Sequence, residues 1–227
     1  MKHYFVTGTD TDVGKTRVAA ALLWQARQQG LSTVGIKPVA AGCDMTAQGL
    51  RNDDALVLQA QCQPPLPYAR VNPVALAPAL APHIAAQDIG LPLQAETLAA
   101  HCQQVLTEGA TFGLVEGAGG WRVPLNQTQT LADLAQRLAL PVILVVGIRL
   151  GCINHALLSA EAIAADGLPL AGWVANGVDP NASRSEDNIR TIAERIEAPC
   201  LGVIPYLSDP QPNILAAYID LAPLITP

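Results

Sequence analysis

The apolar stretch Tyr4-Phe5-Val6 leads straight into Gly8-Thr9-Asp10-Thr11-Asp12-Val13-Gly14-Lys15-Thr16, an order that reads as strand, glycine-bounded loop and helix. In such a loop, successive backbone N–H groups and the helix N-terminus face a polyphosphate. A lysine ammonium meets the β and γ phosphates, and a Thr hydroxyl reaches Mg²⁺. A nucleotide is therefore the first ligand expected. The strict pattern has four residues between its glycines, whereas Gly8 and Gly14 enclose five. The following segment supports the reading all the same. It predicts a helix over 15–29, with Val18, Leu22, Leu23 and Ala26 on one face and a stop at Gly30. An ordinary glycine turn would explain the glycines but not Lys-Thr at a helix start.

Apolar runs then recur with helical patterns between them. Strands are predicted at 3–7, 33–37, 112–116, 141–147, 170–175 and 200–204, and helices at 15–29, 52–62, 94–108, 130–139, 153–166 and 184–197. Runs such as Pro141-Val-Ile-Leu-Val-Val-Gly147 are apolar throughout rather than alternating, as befits strands buried on both faces of a parallel sheet. The expected fold is α/β: one doubly wound, mostly parallel sheet with helices on both faces and right-handed crossovers, a single domain over residues 1–227. Ligands of such sheets sit beyond the carboxyl ends of the strands. The Pro-rich stretch 63–92 has no periodic pattern and is expected to be a long surface excursion.

Half of the residues are hydrophobic and 14% are charged, yet no apolar run reaches the length of a membrane span. The net charge is −6 and no basic cluster is present, so neither nucleic acid nor an anionic membrane is an expected partner. The N-terminus enters a strand almost at once, which predicts a cytoplasmic address. Cys43, Cys62, Cys102, Cys152 and Cys200 are widely spaced, with no CxxC pair and no zinc-like His spacing, and are expected to be free thiols. Of 13 basic residues only Lys2, Lys15 and Lys37 are lysines. One stands in the loop and another ends the next strand, which suggests that an ammonium is wanted at both places.

Other candidates also fall at strand ends. Glu116 closes the strand 112–116 ahead of Gly117-Ala118-Gly119-Gly120, a loop thin enough for backbone amides to approach phosphate. Asp53 and Asp54 start the helix after the second strand. Carboxylates beside a Ser or Thr hydroxyl suit Mg²⁺, although a cap is the more natural role for Asp53. Lys37, followed by Pro38-Val39-Ala40-Ala41-Gly42, can reach a transferring phosphoryl group. Asn176-Gly177 and Pro205-Tyr206-Leu207 could hold adenine between an amide and an apolar wall, or Asn-Gly could simply be a turn. Gly151-Cys152-Ile153-Asn154-His155 opens a helix whose free amides attract carboxylates, while Asn154 could act as a cap and His155 as an ordinary helix residue.

Taken in order, residues 8–16, Lys37-Pro-Val, Arg51-Asn-Asp-Asp54-Ala, Val71-Asn-Pro73, Pro82-His83, 115–121, Leu150-Gly-Cys-Ile-Asn-His155 and 171–176 resemble the dethiobiotin synthetases, over about residues 3 to 207. The resemblance implies a P-loop fold and an ATP- and Mg²⁺-dependent ligase of biotin biosynthesis. In that family 7,8-diaminononanoate takes up CO₂ as a carbamate, the carbamate oxygen attacks the γ-phosphate, and the second amine displaces phosphate from the mixed anhydride. It further implies Lys15, Lys37 and Thr11 as catalytic, with Asp12 beside Thr11 at the reacting end. Thr16, Asp54 and Glu116 would hold Mg²⁺. Asp12, Val13, Gly14, Lys15, Thr16, Arg17 and Glu116, Gly117, Ala118, Gly119 would hold phosphates, and Asn176, Gly177, Pro205, Tyr206 and Leu207 adenine. The family is a homodimer in which the helix start matching Gly151, Cys152, Ile153 and Asn154 grips the acceptor's distal carboxylate across the interface.

Two residues depart from the family's habit. Asp12 stands where Glu is common, one methylene shorter, and Ala41 stands where a Ser usually touches the diamine, so only backbone contact with substrate is expected there. The alternative class, an ATP-driven switch or partitioning protein, would carry a second loop Lys at the position of Thr9. An amide ligase of the cobyrinate type would add a glutaminase domain, for which 227 residues leave no length.

Overall fold

The computed structural model describes residues 1–226. The first half of the chain forms β1 (Lys2–Gly8), α1 (Lys15–Gln28), β2 (Thr33–Ile36), β3 (Val39–Ala41), β4 (Asp44–Thr46), β5 (Gly49–Arg51), α2 (Asp53–Ala60), α3 (Tyr68–Val71), β6 (Val74–Leu76), α4 (Pro82–Asp88) and α5 (Ala95–Thr107). The second half forms β7 (Phe112–Glu116), α6 (Leu131–Leu138), β8 (Val142–Ile148), α7 (Cys152–Ala165), β9 (Leu170–Gly177), α8 (Ser185–Ala193), β10 (Cys200–Ile204), α9 (Pro212–Ala216) and α10 (Ala222–Ile225).

All six expected strands form, and they make one sheet in the order β10-β9-β8-β1-β7-β2 with every neighbouring pair parallel. The doubly wound fold is thus as its apolar runs predict. All seven residues of β8 are buried, because helices cover both faces and water reaches neither. Its side chains alternate between two cores. Ile143 and Val145 join the larger one, with Phe5, Leu22, Leu23 and Leu134. Leu144, Val146 and Ile148 join the smaller one, with Trp173 and Ile192.

Most of the helices start without a side-chain cap, and two of them start on a left-handed glycine. α6 opens on a capping box in which Thr130 and Asp133 satisfy each other's backbone N–H groups. α1 opens on Gly14 at φ 87° and α7 on Gly151 at φ 93°, neither with a side-chain cap. Their first-turn amides therefore lack the side-chain partner that α6 supplies, and such amides favour an anion.

Three readings need correction. The stretch 63–92 is not featureless: it holds α3, β6 and α4, and β6 pairs in parallel with β3 (Val39↔Val74) in a small second sheet. Elements this short cannot display a period, and their partner is remote in sequence. Asp53 is not the cap of α2, since the Asn52 side chain accepts the Ala55 N–H at 3.2 Å. Asn176-Gly177 is not a turn but the end of β9. The β4–β5 hairpin, α9 and α10 also went unpredicted.

The C-terminal segment is tied back onto the sheet. Gln25 donates to the carbonyls of Ala216 and Ile219 (2.7 and 2.8 Å), Tyr4 Oη donates to Leu224 O (2.5 Å), and Gly202 bridges Ile219. A Cβ on Gly202 would lie 2.9 Å from Ile219 Cα and run into the Tyr218 carbonyl. Backbone there cannot yield cheaply, so Gly202→Ala is expected to cost about 1–3 kcal/mol of stability, read as a lower urea midpoint at unchanged m-value. An unchanged midpoint would show that the segment is not held against β10. Among the described residues, no helix is long and apolar enough to cross a membrane. All five cysteines are free thiols, and burial pushes Cys102 up to about 12.

Candidate active site

Because the sheet is parallel, the carboxyl ends of β1, β2, β7, β9 and β10 open on one edge, where a cavity of about 1020 Å³ lies. That volume is at the upper end of small-molecule sites and suits a nucleotide together with an acceptor. Thr11, Asp12, Gly14, Lys15, Thr16, Arg17, Lys37, Ala41, Asp54, Ala118, Gly119, Asn176, Gly177, Pro205, Tyr206 and Leu207 line it. The chain thus brings together, at one cavity, residues drawn from almost its whole length.

The phosphate loop is held in shape by close packing. Val13 is buried between two glycines, and a Cβ on Gly8 or Gly147 would come within 2.6 or 2.7 Å of its methyl groups. Asp12 adopts φ 57°, a left-handed conformation that Asp tolerates better than most side chains. The Asn176 amide donates to Val13 O at 2.8 Å, so this side chain fastens the loop to β9 as well as facing the cavity. Gly177 has no room for a side chain, since a Cβ would lie 2.6 Å from Tyr206 N and 2.9 Å from Pro205 C. This closeness brings Pro205-Tyr206-Leu207 against the end of β9.

At the floor, four polar side chains meet, three of them buried and the fourth, Asp54, half-exposed. Lys37 Nζ donates to Glu116 Oε1 at 2.5 Å and to Asp54 Oδ2 at 3.0 Å, and Thr16 Oγ1 donates to the same Glu116 oxygen at 2.8 Å. Glu116 is fully buried and Lys37 is 4% exposed. Burial alone would lower the Lys37 pKa, but the Glu116 and Asp54 carboxylates outweigh it and hold it above the ordinary lysine value of 10.5. Asp54 moves the other way: burial would raise its pKa, but Lys37 keeps it below the ordinary value. Lys15 donates to Asp10 O at 2.9 Å, and burial, aided by the charge of Lys37, lowers its pKa. Lys37 is therefore the more firmly protonated of the two ammonium groups.

Some predicted residues stand apart from the cavity wall. Val13 and Gly117 are packing positions, with Gly117 against the Phe5 ring, and Glu116 acts from beneath through Lys37 and Thr16. Gly151, Cys152, Ile153 and Asn154 do not line the cavity at all, and Asn154 lies inside α7 rather than at its cap. Other residues that the site depends on had gone unnoticed. Asn72, 3% exposed, donates to Lys37 O at 2.7 Å and fixes the strand end that carries the lysine. Trp121 meets Phe5 edge-on, and its indole N–H donates to Asp166 at 2.7 Å, anchoring the far end of the glycine loop. Leu80, Ala81 and Pro82, from the supposedly featureless stretch, supply an apolar wall. The Val71-Asn-Pro73, Pro82-His83 and 115–121 blocks contain Asn72, Pro82 and Trp121, but nothing in them signalled these contacts.

A family profile described as an AAA domain matches residues 2–213. Among solved structures, a ParA family ATPase from Chlorobium tepidum superposes with a TM-score of 0.56 at 13% identity, covering 99% of this chain and 92% of that one. The MinC:MinD cell division complex of Aquifex aeolicus gives 0.57 at 14% identity, covering 90% and 81%. These likenesses show the fold alone. Curated relatives are far nearer in sequence. The ATP-dependent dethiobiotin synthetase BioD of Pseudomonas aeruginosa is 62% identical over 224 residues, covering 99% of this chain and 98% of the relative. Its counterpart in Cellvibrio japonicus is 61% identical over the same length and coverage, and that of Xanthomonas campestris is 51% identical over 218 residues. With this identity over nearly its whole length, and the site just described, the chain belongs to the ATP-dependent dethiobiotin synthetase family.

Proposed function

We propose that the chain carries out the ring closure for which its relatives are named, using ATP to join CO₂ to 7,8-diaminononanoate and form dethiobiotin, ADP and phosphate. The observation that carries this reading is the convergence of two buried lysines on one cavity, Lys15 from the start of α1 and Lys37 from the end of β2. A nucleotide-binding switch needs the first lysine but has no evident use for the second.

One amine of the acceptor forms an N–C bond to CO₂, giving a carbamate and releasing a proton. A carbamate oxygen attacks the γ-phosphorus as the bond to ADP breaks. The second amine then attacks the carbonyl carbon and phosphate leaves, closing the cyclic urea with loss of a proton. Lys15 and Lys37 offset the negative charge gathered at the transferring group, where pre-placed charge has its greatest effect. Thr11 and Asp12, both exposed at the cavity, face the acceptor's reacting end. Backbone amides of residues 12 to 17 and 116 to 119 receive the phosphates, and Asn176, Gly177, Pro205, Tyr206 and Leu207 receive adenine.

Thr16, Asp54 and Glu116 are the proposed Mg²⁺ ligands. They fit an oxygen-seeking cation, because Glu116 Oε2 is buried with no hydrogen-bond partner while Oε1 is taken by Lys37 and Thr16. Two carboxylates and a hydroxyl fall short of an all-protein cage, and Mg²⁺ ordinarily completes its shell with phosphates and water. When bound, the ion supplies charge neutralisation between the phosphoryl oxygens.

Gly151, Cys152, Ile153 and Asn154 lie away from the cavity, which supports a homodimer in which this helix start serves the other copy's acceptor. Leu150, 99% exposed, and Leu158, 56% exposed, offer apolar surface on the same side. We read the chain as one domain and as a cytoplasmic protein.

The test is product formation followed by mass spectrometry with ATP, bicarbonate and the diamine. Phosphate release is expected to require both bicarbonate and diamine, with labelled bicarbonate carbon found in the product. Phosphate release indifferent to either would sink the reading.

A further inference from the structure

The phosphate loop carries five residues between Gly8 and Gly14, one more than the strict pattern. A longer loop has more conformations to lose on ordering. Thr9 is secured by the backbone of β8: its N–H donates to Val145 O at 3.0 Å and its Oγ1 accepts from Gly147 N at 3.3 Å. The next residue is held by a side chain. Asp10 Oδ2 pairs with Arg149 Nη2, while Asp10 Oδ1 accepts the Thr11 N–H at 2.8 Å and Asp10 O accepts from Lys15 Nζ at 2.9 Å. Arg149 directly follows β8, and its own carbonyl accepts the N–H of Cys152, the first residue of α7, at 3.0 Å. Asp10 thus touches three groups, and two of them belong to residues at the reacting end.

We propose that Arg149 is a positioning residue for phosphoryl transfer, acting through Asp10 to set the outer turn of the phosphate loop and with it Thr11 and the Lys15 ammonium. This rests on the reaction proposed above. The pair is poorly suited to a purely structural role. Its side chains are 41% and 47% exposed, and ion pairs so wetted contribute little to stability. Its value lies in geometry, since a displacement of about 1 Å at a reacting group can cost about a hundredfold in rate. Neither Asp10 nor Arg149 lines the cavity, so neither needs to touch substrate to matter.

The experiment compares Arg149→Ala, Arg149→Lys, Asp10→Asn and the double variant Asp10→Asn/Arg149→Ala for kcat, KM, melting temperature and amide hydrogen exchange in the segment 8–16. Arg149→Ala is expected to lower kcat by about ten- to a hundredfold, with the ATP dissociation constant, melting temperature and acceptor KM nearly unchanged. Exchange should quicken in segment 8–16 alone. Arg149→Lys should recover most of the rate, and the double variant should be no worse than the more damaging single change. Three results would overturn the proposal: kcat within twofold of wild type with unaltered exchange, additive losses in the double variant, or an effect confined to acceptor KM. Hydrogen exchange is read without turnover. A wild-type protein that makes no dethiobiotin therefore refutes the reaction assignment, while the exchange comparison still decides whether Arg149 holds the loop.

Discussion

Replacing Lys37 by glutamine is expected to lower kcat by at least about a thousandfold, equivalent to about 4 kcal/mol of transition-state stabilisation, while ATP binds with nearly normal affinity. The reasoning starts from where the ammonium sits. Lys37 Nζ lies on Glu116 and Asp54 at the floor of the cavity and shares the Glu116 oxygen with Thr16, but it comes from the end of β2 and is not one of the loop amides proposed to hold the ground-state nucleotide. A charge so placed is spent on the transferring group, which gains negative charge only as the reaction proceeds. Glutamine can still donate to Glu116, so the floor keeps a hydrogen bond although it loses its cation. Single-turnover product formation, paired with equilibrium binding of a fluorescent ATP analogue, separates the two effects. If ATP affinity fell in step with kcat, Lys37 would be a nucleotide contact and nothing more.

Glu116→Ala is the second large effect, and it falls first on stability. Removing this carboxylate strips Lys37 of its strongest partner in a site where the two side chains are 5% and 0% exposed. An ammonium left there keeps half-exposed Asp54 and a long bond to Gly117 O (3.5 Å), so its burial is no longer fully offset. Breaking such a pair costs about 3–5 kcal/mol, or roughly 6–20 °C in melting temperature for a chain of this size. The sign of the pH dependence follows from the raised Lys37 pKa. The contribution of the pair is complete below 10.5, the ordinary lysine value, and is lost as pH climbs through the higher folded-state value. On the acid side, Asp54 has a lowered pKa, so its contribution is complete above 3.8 and fades as pH falls through its folded-state value. The destabilisation by Glu116→Ala should therefore stay nearly constant across neutral pH and shrink in strong alkali. Thermal melts from pH 6 to above pH 10 would check this. A variant as stable as wild type at pH 7 would mean that Lys37 is already neutral or hydrated. The same change should raise the Mg²⁺ concentration needed for half-maximal turnover by at least about tenfold, whereas an unaltered Mg²⁺ requirement would remove Glu116 from the ligand set.

Local chemistry is legible in the sequence itself. The loop at 8–16, the apolar runs and the glycines after helices are features of neighbouring residues, and a period of two or 3.6 residues survives in a single chain. Hence the six strands of the main sheet and the major helices appear where expected, with ends shifted by a few residues. The short elements after Gln63 escaped because three or four residues show no period, and because β6 is stabilised by β3 rather than by its own neighbours. The role of Asn52 escaped because two aspartates follow it, and any of the three could have capped α2. Asn176 was read for its amide chemistry toward adenine, while its bond to Val13 O, 163 positions away, has no local trace.

The residues alone settled the class of the protein. Glycines and a Lys-Thr pair between a strand and a helix point to a phosphate loop, because its geometry is built from adjacent backbone groups. Convergence was left to the tertiary structure. Lys37 meets Glu116 across 79 positions, and Arg149 meets Asp10 across 139. Such meetings depend on which strands lie side by side, β2 against β7 and β1 against β8, and on all carboxyl ends opening at one edge. Strand order is set by the packing of two cores on either face of the sheet. That packing is a sum of long-range contacts that no window of sequence contains.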